Sequence, residues 1–127
     1  MPSSDDPLVL IVDDHADTRE MCATLLDFAG FKTAEAGNGV EALSLARALA
    51  PDCILMDLSL PALDGREATR QLKADEETRG IPVIALSGTS FADGAHRIGE
   101  EGFAAVLAKP CTPEDMLSTI RQVLGRR

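Results

Sequence analysis

Acidic side chains close two apolar runs of this 127-residue chain: Asp13 and Asp14 end LVLIVDD, and Asp57 ends CILMD. A third run, FAAVLAKP, closes on Lys109-Pro110. Aliphatic and β-branched runs of this kind read as strands, and in an open parallel sheet the carboxyl ends of the strands converge on one crevice. Three carboxylates gathered there would repel one another and resist ionising together unless a cation neutralises them. An all-oxygen, carboxylate-rich pocket suits a hard ion such as Mg²⁺. Lys109 would add a second positive charge, and the combination suits a phosphoryl group better than a neutral substrate.

The elements that must position these residues alternate. Strand-like runs are expected at residues 8–12, 32–36, 53–56, 81–86 and 103–108, each followed by a longer segment of helical spacing, the signature of βαβ units. The first helix carries Met21, Cys22, Leu25, Leu26 and Phe28 as its apolar positions and ends at Gly30. Asn38-Gly39 turns into a second helix with Leu43, Ala46 and Ala50 inward, stopped by Pro51. A polar third helix runs from about Arg66 to Ala74, and the DEETRG segment after it reads as a solvated connection. The segment SFADGAHRIGEEG holds three glycines and predicts a short, marginal fourth helix. Thr112-Pro113-Glu114-Asp115 supplies a cap, an N1 proline and early acids for a last helix carrying Met116, Leu117, Ile120, Val123 and Leu124. Five strands and five helices in alternation predict an α/β, flavodoxin-like, doubly wound five-stranded parallel sheet of order 2-1-3-4-5.

Composition narrows the partners. A net charge of −9 and a pI near 4.5 argue against direct nucleic-acid binding and against an anionic membrane surface. Four Phe with no Trp or Tyr leave few platforms for stacking bases. The start MPSSDDP lacks the charged-then-apolar order of a signal peptide, and no apolar stretch reaches spanning length, so a cytoplasmic protein is expected. Cys22, Cys53 and Cys111 show no metal or redox spacing and are expected as reduced thiols.

LIVDDH, MDLSLPALDG, IPVIALSG and LAKP, in this order and each at a strand end, resemble the response-regulator receiver domains of two-component signalling. The resemblance covers essentially the whole chain, a domain over 6–125 with short tails at 1–5 and 126–127. It implies that Asp57 is the phosphoacceptor, taking a phosphoryl group from a histidine kinase or a histidine phosphotransfer protein. It implies Mg²⁺ held by Asp13, Asp14, Asp57 and the backbone carbonyl of Ser59. Lys109 would pair with the phosphoryl oxygens, the Ser87 hydroxyl would hydrogen-bond them, Gly88 would leave the pocket open, and Thr89 would influence hydrolysis. The implied protein is a signalling module rather than an enzyme, catalysing only its own phosphorylation and dephosphorylation. It would act on a downstream protein through the face of its fourth helix, fifth strand and last helix, as a monomer or a weak phosphorylation-linked dimer. It would stand alone or belong to a longer protein.

Two positions depart from the family pattern. Val106 stands three residues before the lysine, where the family has an aromatic residue that swings inward. Valine cannot make that swing, so residues 92–102 are expected to carry the change instead. Cys111 stands where phenylalanine is common.

The same residues admit other readings. Asp13 and Asp14 would serve as helix caps, and His15 is expected as an exposed residue of the first helical turn rather than a ligand. His96 is expected to be solvated, and Arg66, Arg70, Lys73 and Arg79 to form a solvent-facing basic patch. A haloacid-dehalogenase-type phosphatase expects a second Asp where Ser59 stands. A nucleotide or flavin binder expects a glycine-rich first turn, where this chain has acids. A phosphorylation-independent pseudo-receiver tends to lose an acid or the lysine, and all are kept here.

Overall fold

Three almost wholly apolar runs, LVLIV, CILMD and VIALS, can be buried only if helices cover both sides of the sheet they form. The computed structural model has that layout. It describes residues 6–58, 65–87, 102–108 and 112–125, with the side chains of 65, 66, 87 and 108 outside the description. The order is β1 (Leu8–Val12), α1 (Ala16–Phe28), β2 (Lys32–Ala36), α2 (Gly39–Leu49), β3 (Cys53–Asp57), α3 (Gly65–Ala74), β4 (Val83–Ser87), β5 (Ala105–Ala108) and α4 (Pro113–Gly125). The five strands form one sheet in the order β2-β1-β3-β4-β5, and every pairing is parallel. Four helices are formed among the described residues, against five expected. The missing one was expected within residues 92–102, which lie outside the description except for Gly102.

Side chains alternate across a strand, and the two cores follow that parity. Val9, Ile11, Cys53, Leu55, Ile84, Leu86 and Leu107 pack with Cys22 and Leu26 of α1 and Met116, Ile120 and Val123 of α4. Leu10, Val12, Ile54, Met56, Val83 and Ala85 pack with Ala42, Leu43 and Ala46 of α2 and Ala68 and Leu72 of α3. Each fully buried leucine or isoleucine contributes about 1.5–3 kcal/mol. Among the described residues no helix is long and apolar enough to cross a membrane.

Helix ends set where strands begin. At the end of α1 the Gly30 N–H donates to the Asp27 carbonyl and the Phe31 N–H to that of Leu26, with Gly30 at φ +95°. This is a Schellman closure, and Phe31 and Leu26 share one core. The Asn38 side chain accepts the Glu41 N–H at 2.9 Å and caps α2. Thr112 Oγ1 accepts the Asp115 N–H at 3.0 Å and caps α4, as its sequence predicts.

Three expectations change. Met21 (66% exposed) and Phe28 (89%) face solvent, because the buried arc of α1 runs through Cys22, Ala23 and Leu26. Ala50 is an exposed, left-handed C-cap at φ 46° rather than an inward helical residue, since the chain must turn before Pro51. Thr78, within the supposedly solvated DEETRG, is buried and donates from Oγ1 to the Leu72 carbonyl at 2.7 Å.

Candidate functional site

The parallel register brings the acids to one end of the sheet. Val12 pairs with Met56, so the next residues, Asp13 and Asp57, stand at the same level on neighbouring strands. Asp57 pairs in turn with Leu86, and Ser87 with Ala108, the residue before Lys109. The backbones of Asp13, Asp57, Ser87 and Ala108 therefore step across the carboxyl ends of β1, β3, β4 and β5. These ends meet beside the β1–β3 junction, where the strand order reverses and a crevice opens.

Burial distinguishes the acids. Asp13 and Asp57 are each 1% exposed, whereas the Asp14 side chain is 30% exposed. The Asp13 N–H donates to the Ala36 carbonyl, extending the β1–β2 ladder, and Asp13 Oδ1 accepts the His15 N–H at 2.9 Å. The second oxygen, Oδ2, of Asp13 and of Asp57 is buried without a hydrogen-bond partner of its own, while each residue makes other interactions. Two carboxylates withdrawn from water side by side call for a compensating positive charge. Hard anionic oxygens alone make up this donor set, and they fit Mg²⁺.

His15 sits just ahead of the first helical turn, at the N-cap of α1, and its side chain makes no capping bond. Its Nδ1 lies 3.3 Å from Asp13 Oδ1 and 3.1 Å from Asp14 Oδ1. Among the described residues, Asp13, Asp14 and His15 form the group whose ligand atoms all lie within 4.8 Å of one another. Asp57 lies outside that group, although the register places it beside Asp13. The Asp13 carboxylate accepts the N–H of His15, the residue that precedes the first turn of α1.

Arg19 was not singled out in the sequence, and it braces the acidic loop. Its Nη1 donates to the Asp13 carbonyl at 2.6 Å, and its Nε reaches Glu35 at 3.4 Å. Gly37 packs against it: a Cβ there would lie 3.4 Å from Arg19 Nη1 and 3.2 Å from Glu41 Oε1, which accepts the Gly37 N–H at 2.6 Å. The sequence carried one sign of this role, a cation close to a helix N-terminus, where the dipole disfavours positive charge.

The remaining expected site residues are described in part. Ser87 ends β4, with its side chain outside the description, and Ser59, Gly88, Thr89 and Lys109 lie outside the described residues, as do His96 and Cys111. Val106 is half-buried on β5, paired with Ala85 and packed against the α2–α3 core. Of the supposed basic patch, Arg70 is engaged by Glu67 at 2.7 Å. Lys73 is half-buried, donating to the carbonyls of Arg79 (3.1 Å) and Ile81 (2.7 Å), and burial lowers its pKa.

Comparison with known proteins sets this geometry beside others. The family described as response regulator receiver domain matches residues 9–121. The polar-differentiation response regulator DivK of Brucella anthropi is 39% identical over 125 residues, covering 98% of each chain. The chemotaxis protein CheY4 of Vibrio cholerae superposes with a TM-score of 0.86 at 28% identity, over 93% of this chain and 98% of that one. The receiver domain of the sensor histidine kinase PA1611 of Pseudomonas aeruginosa, at TM-score 0.85 and 28% identity, covers 94% of this chain and 98% of its own, and was crystallised with a magnesium ion coordinated in its active-site cleft.

Proposed function

This chain belongs to the response-regulator receiver family, and on that premise we propose that it is phosphorylated on Asp57 in a two-component relay. The observation that carries the reading is the placement of Asp57, buried at the end of the central strand and level with Asp13 on the next strand. An Asp57 oxygen forms a bond to phosphorus as the phosphorus–nitrogen bond of a donor phosphohistidine breaks, leaving an aspartyl phosphate and a free imidazole. Asp13, Asp14, Asp57 and the Ser59 carbonyl would hold a Mg²⁺ ion, which would supply charge neutralisation for the phosphoryl oxygens. Lys109 pairs with the same oxygens, Ser87 donates its hydroxyl to them, and Thr89 governs access of the hydrolysing water.

The donor is a histidine kinase or a histidine phosphotransfer protein, and the protein is cytoplasmic. The receiver spans residues 6–125, and it signals to a downstream protein through α4, β5 and the segment between β4 and β5. It does so as a monomer or a weak dimer, alone or within a longer protein.

Intact mass after incubation with acetyl phosphate tests this, with and without Mg²⁺, on wild type and Asp57→Asn. A metal-dependent gain of one phosphoryl group that the variant lacks is the expected outcome. A folded wild type that gains nothing from acetyl phosphate or from a phosphohistidine donor would point to a phosphorylation-independent binding module.

A further inference from the structure

We propose that Lys73 is an acyl-acceptor site: its amine takes an acyl group from an acyl phosphate, and the resulting amide loosens the junction between α3 and β4. Lys73 stands in the last turn of α3, beside the start of β4 and therefore at the end of the sheet opposite the acids.

Geometry carries the argument. Lys73 Nζ donates to the Ile81 carbonyl at 2.7 Å and to the Arg79 carbonyl at 3.1 Å. Its stem is held as well, because a Cβ at Gly102 would lie 3.0 Å from Lys73 Cγ and 3.6 Å from Cε. The side chain is thus fixed along its length instead of swinging in water. A neutral amine has two N–H groups and one lone pair. The two carbonyls take up both N–H groups, so the neutral form is fully satisfied in place and its lone pair is left over. The ammonium carries a third N–H, and half-burial withholds part of the water it needs. Burial accordingly lowers the pKa of this amine. Arg79 and Gly80 are exposed, so a small reagent has access from solvent.

A partly desolvated lysine held in its neutral form is an activated nucleophile. The Nζ lone pair forms a bond to the acyl carbon, the bond from that carbon to the phosphate oxygen breaks, and the departing phosphate takes the surplus proton. The amide keeps one N–H for two carbonyls, so Arg79 or Ile81 loses its donor just ahead of β4. The competing account is a structural clasp whose two hydrogen bonds shield the amine from electrophiles. That account makes Lys73 slower to react in the folded chain than in the unfolded one.

Acetyl phosphate at about pH 8, below the ordinary lysine range, separates the two accounts. The full chain carries Asp57→Asn, which removes phosphorylation by the same reagent from the readout. It is treated folded and in guanidinium chloride, and acetylation of Lys73 is followed by peptide mass spectrometry against an added unstructured lysine peptide. Lys73 is expected to react about twofold or more faster in the folded chain. The acetylated chain is then expected to unfold at a lower guanidinium midpoint than a treated chain carrying Lys73→Arg, which keeps a charged donor and takes no acyl group there. A folded-state rate at or below the unfolded one overturns the inference. So does a midpoint that acetylation leaves equal to that of the treated Lys73→Arg chain.

Discussion

The Arg19 guanidinium holds the backbone carbonyl of Asp13 at 2.6 Å, tying the second turn of α1 to the loop that carries the acid pair. Removing it has two opposed effects. The loop loses its brace, while the site loses a nearby positive charge that would oppose a cation. Loss of a group that orients metal ligands costs about 10–100-fold in affinity, whereas a partly solvated charge is screened to about 1 kcal/mol or less. Positioning should win: Arg19→Ala is expected to weaken Mg²⁺ binding about tenfold, read by calorimetry. Tighter binding would show that charge dominates.

Asp13 and Asp57 are buried side by side, and without a cation their charges burden the fold. Asp13→Asn is therefore expected to raise the unfolding free energy in EDTA by about 1–2 kcal/mol. In saturating Mg²⁺ the gain should vanish or reverse, because the wild type alone keeps its full set of anionic ligands. Urea unfolding under both conditions checks this. A gain of the same size in both would dissociate the acids from metal.

The Glu77 backbone N–H, followed by the Arg47 side chain, holds the Asp75 carboxyl below the usual carboxylate range. A carboxyl with a depressed folded-state pKa contributes stability that is complete above its unfolded value of about 3.9 and lost as pH falls through the folded one. The urea-midpoint difference between wild type and Asp75→Asn should hold steady from about pH 7 to pH 5 and shrink below about pH 4. A difference that persists in acid would mean that shape, rather than charge, makes the contact.

Ala50 closes α2 at φ 46°, a left-handed conformation that disfavours a β-carbon. Ala50→Gly relieves that strain but frees the unfolded chain, and in this conformation the first effect is the larger. A gain of about 0.5–1 kcal/mol in urea unfolding is expected. A loss would show that Pro51 already limits the unfolded chain more strongly than the cap is strained.

Much of this architecture was legible in the residues because it rests on local chemistry. The strand runs are almost purely apolar, Asn38 and Thr112 cap as their types predict, and Gly30 takes the left-handed turn that few other residues tolerate. Long-range decisions stayed hidden. Met21 and Phe28 are as apolar as Leu26, and the wheel position that faces the sheet depends on how α1 is set against β1 and β3. Thr78 looked solvated because its neighbours are charged, yet its hydroxyl satisfies a carbonyl of the preceding helix. The strand ends foretold where Asp13 and Asp57 stand, buried and level on neighbouring strands. The contacts of His15 and Arg19 with Asp13 arise from loop geometry that no spacing encodes.

The division of the core into two parity-matched layers bears on how such a chain can diverge. Substitutions beneath α1 and α4 alter odd-numbered partners of β1 and β3, and those beneath α2 and α3 alter even-numbered ones. Each layer can be exchanged piecemeal while the other keeps the sheet in register. The strands are only four or five residues long, with their acids at the tips, so a one-residue slip would move every tip at once. Lineages of this architecture are therefore free to rewrite their interiors and closely bound to the lengths of their strands.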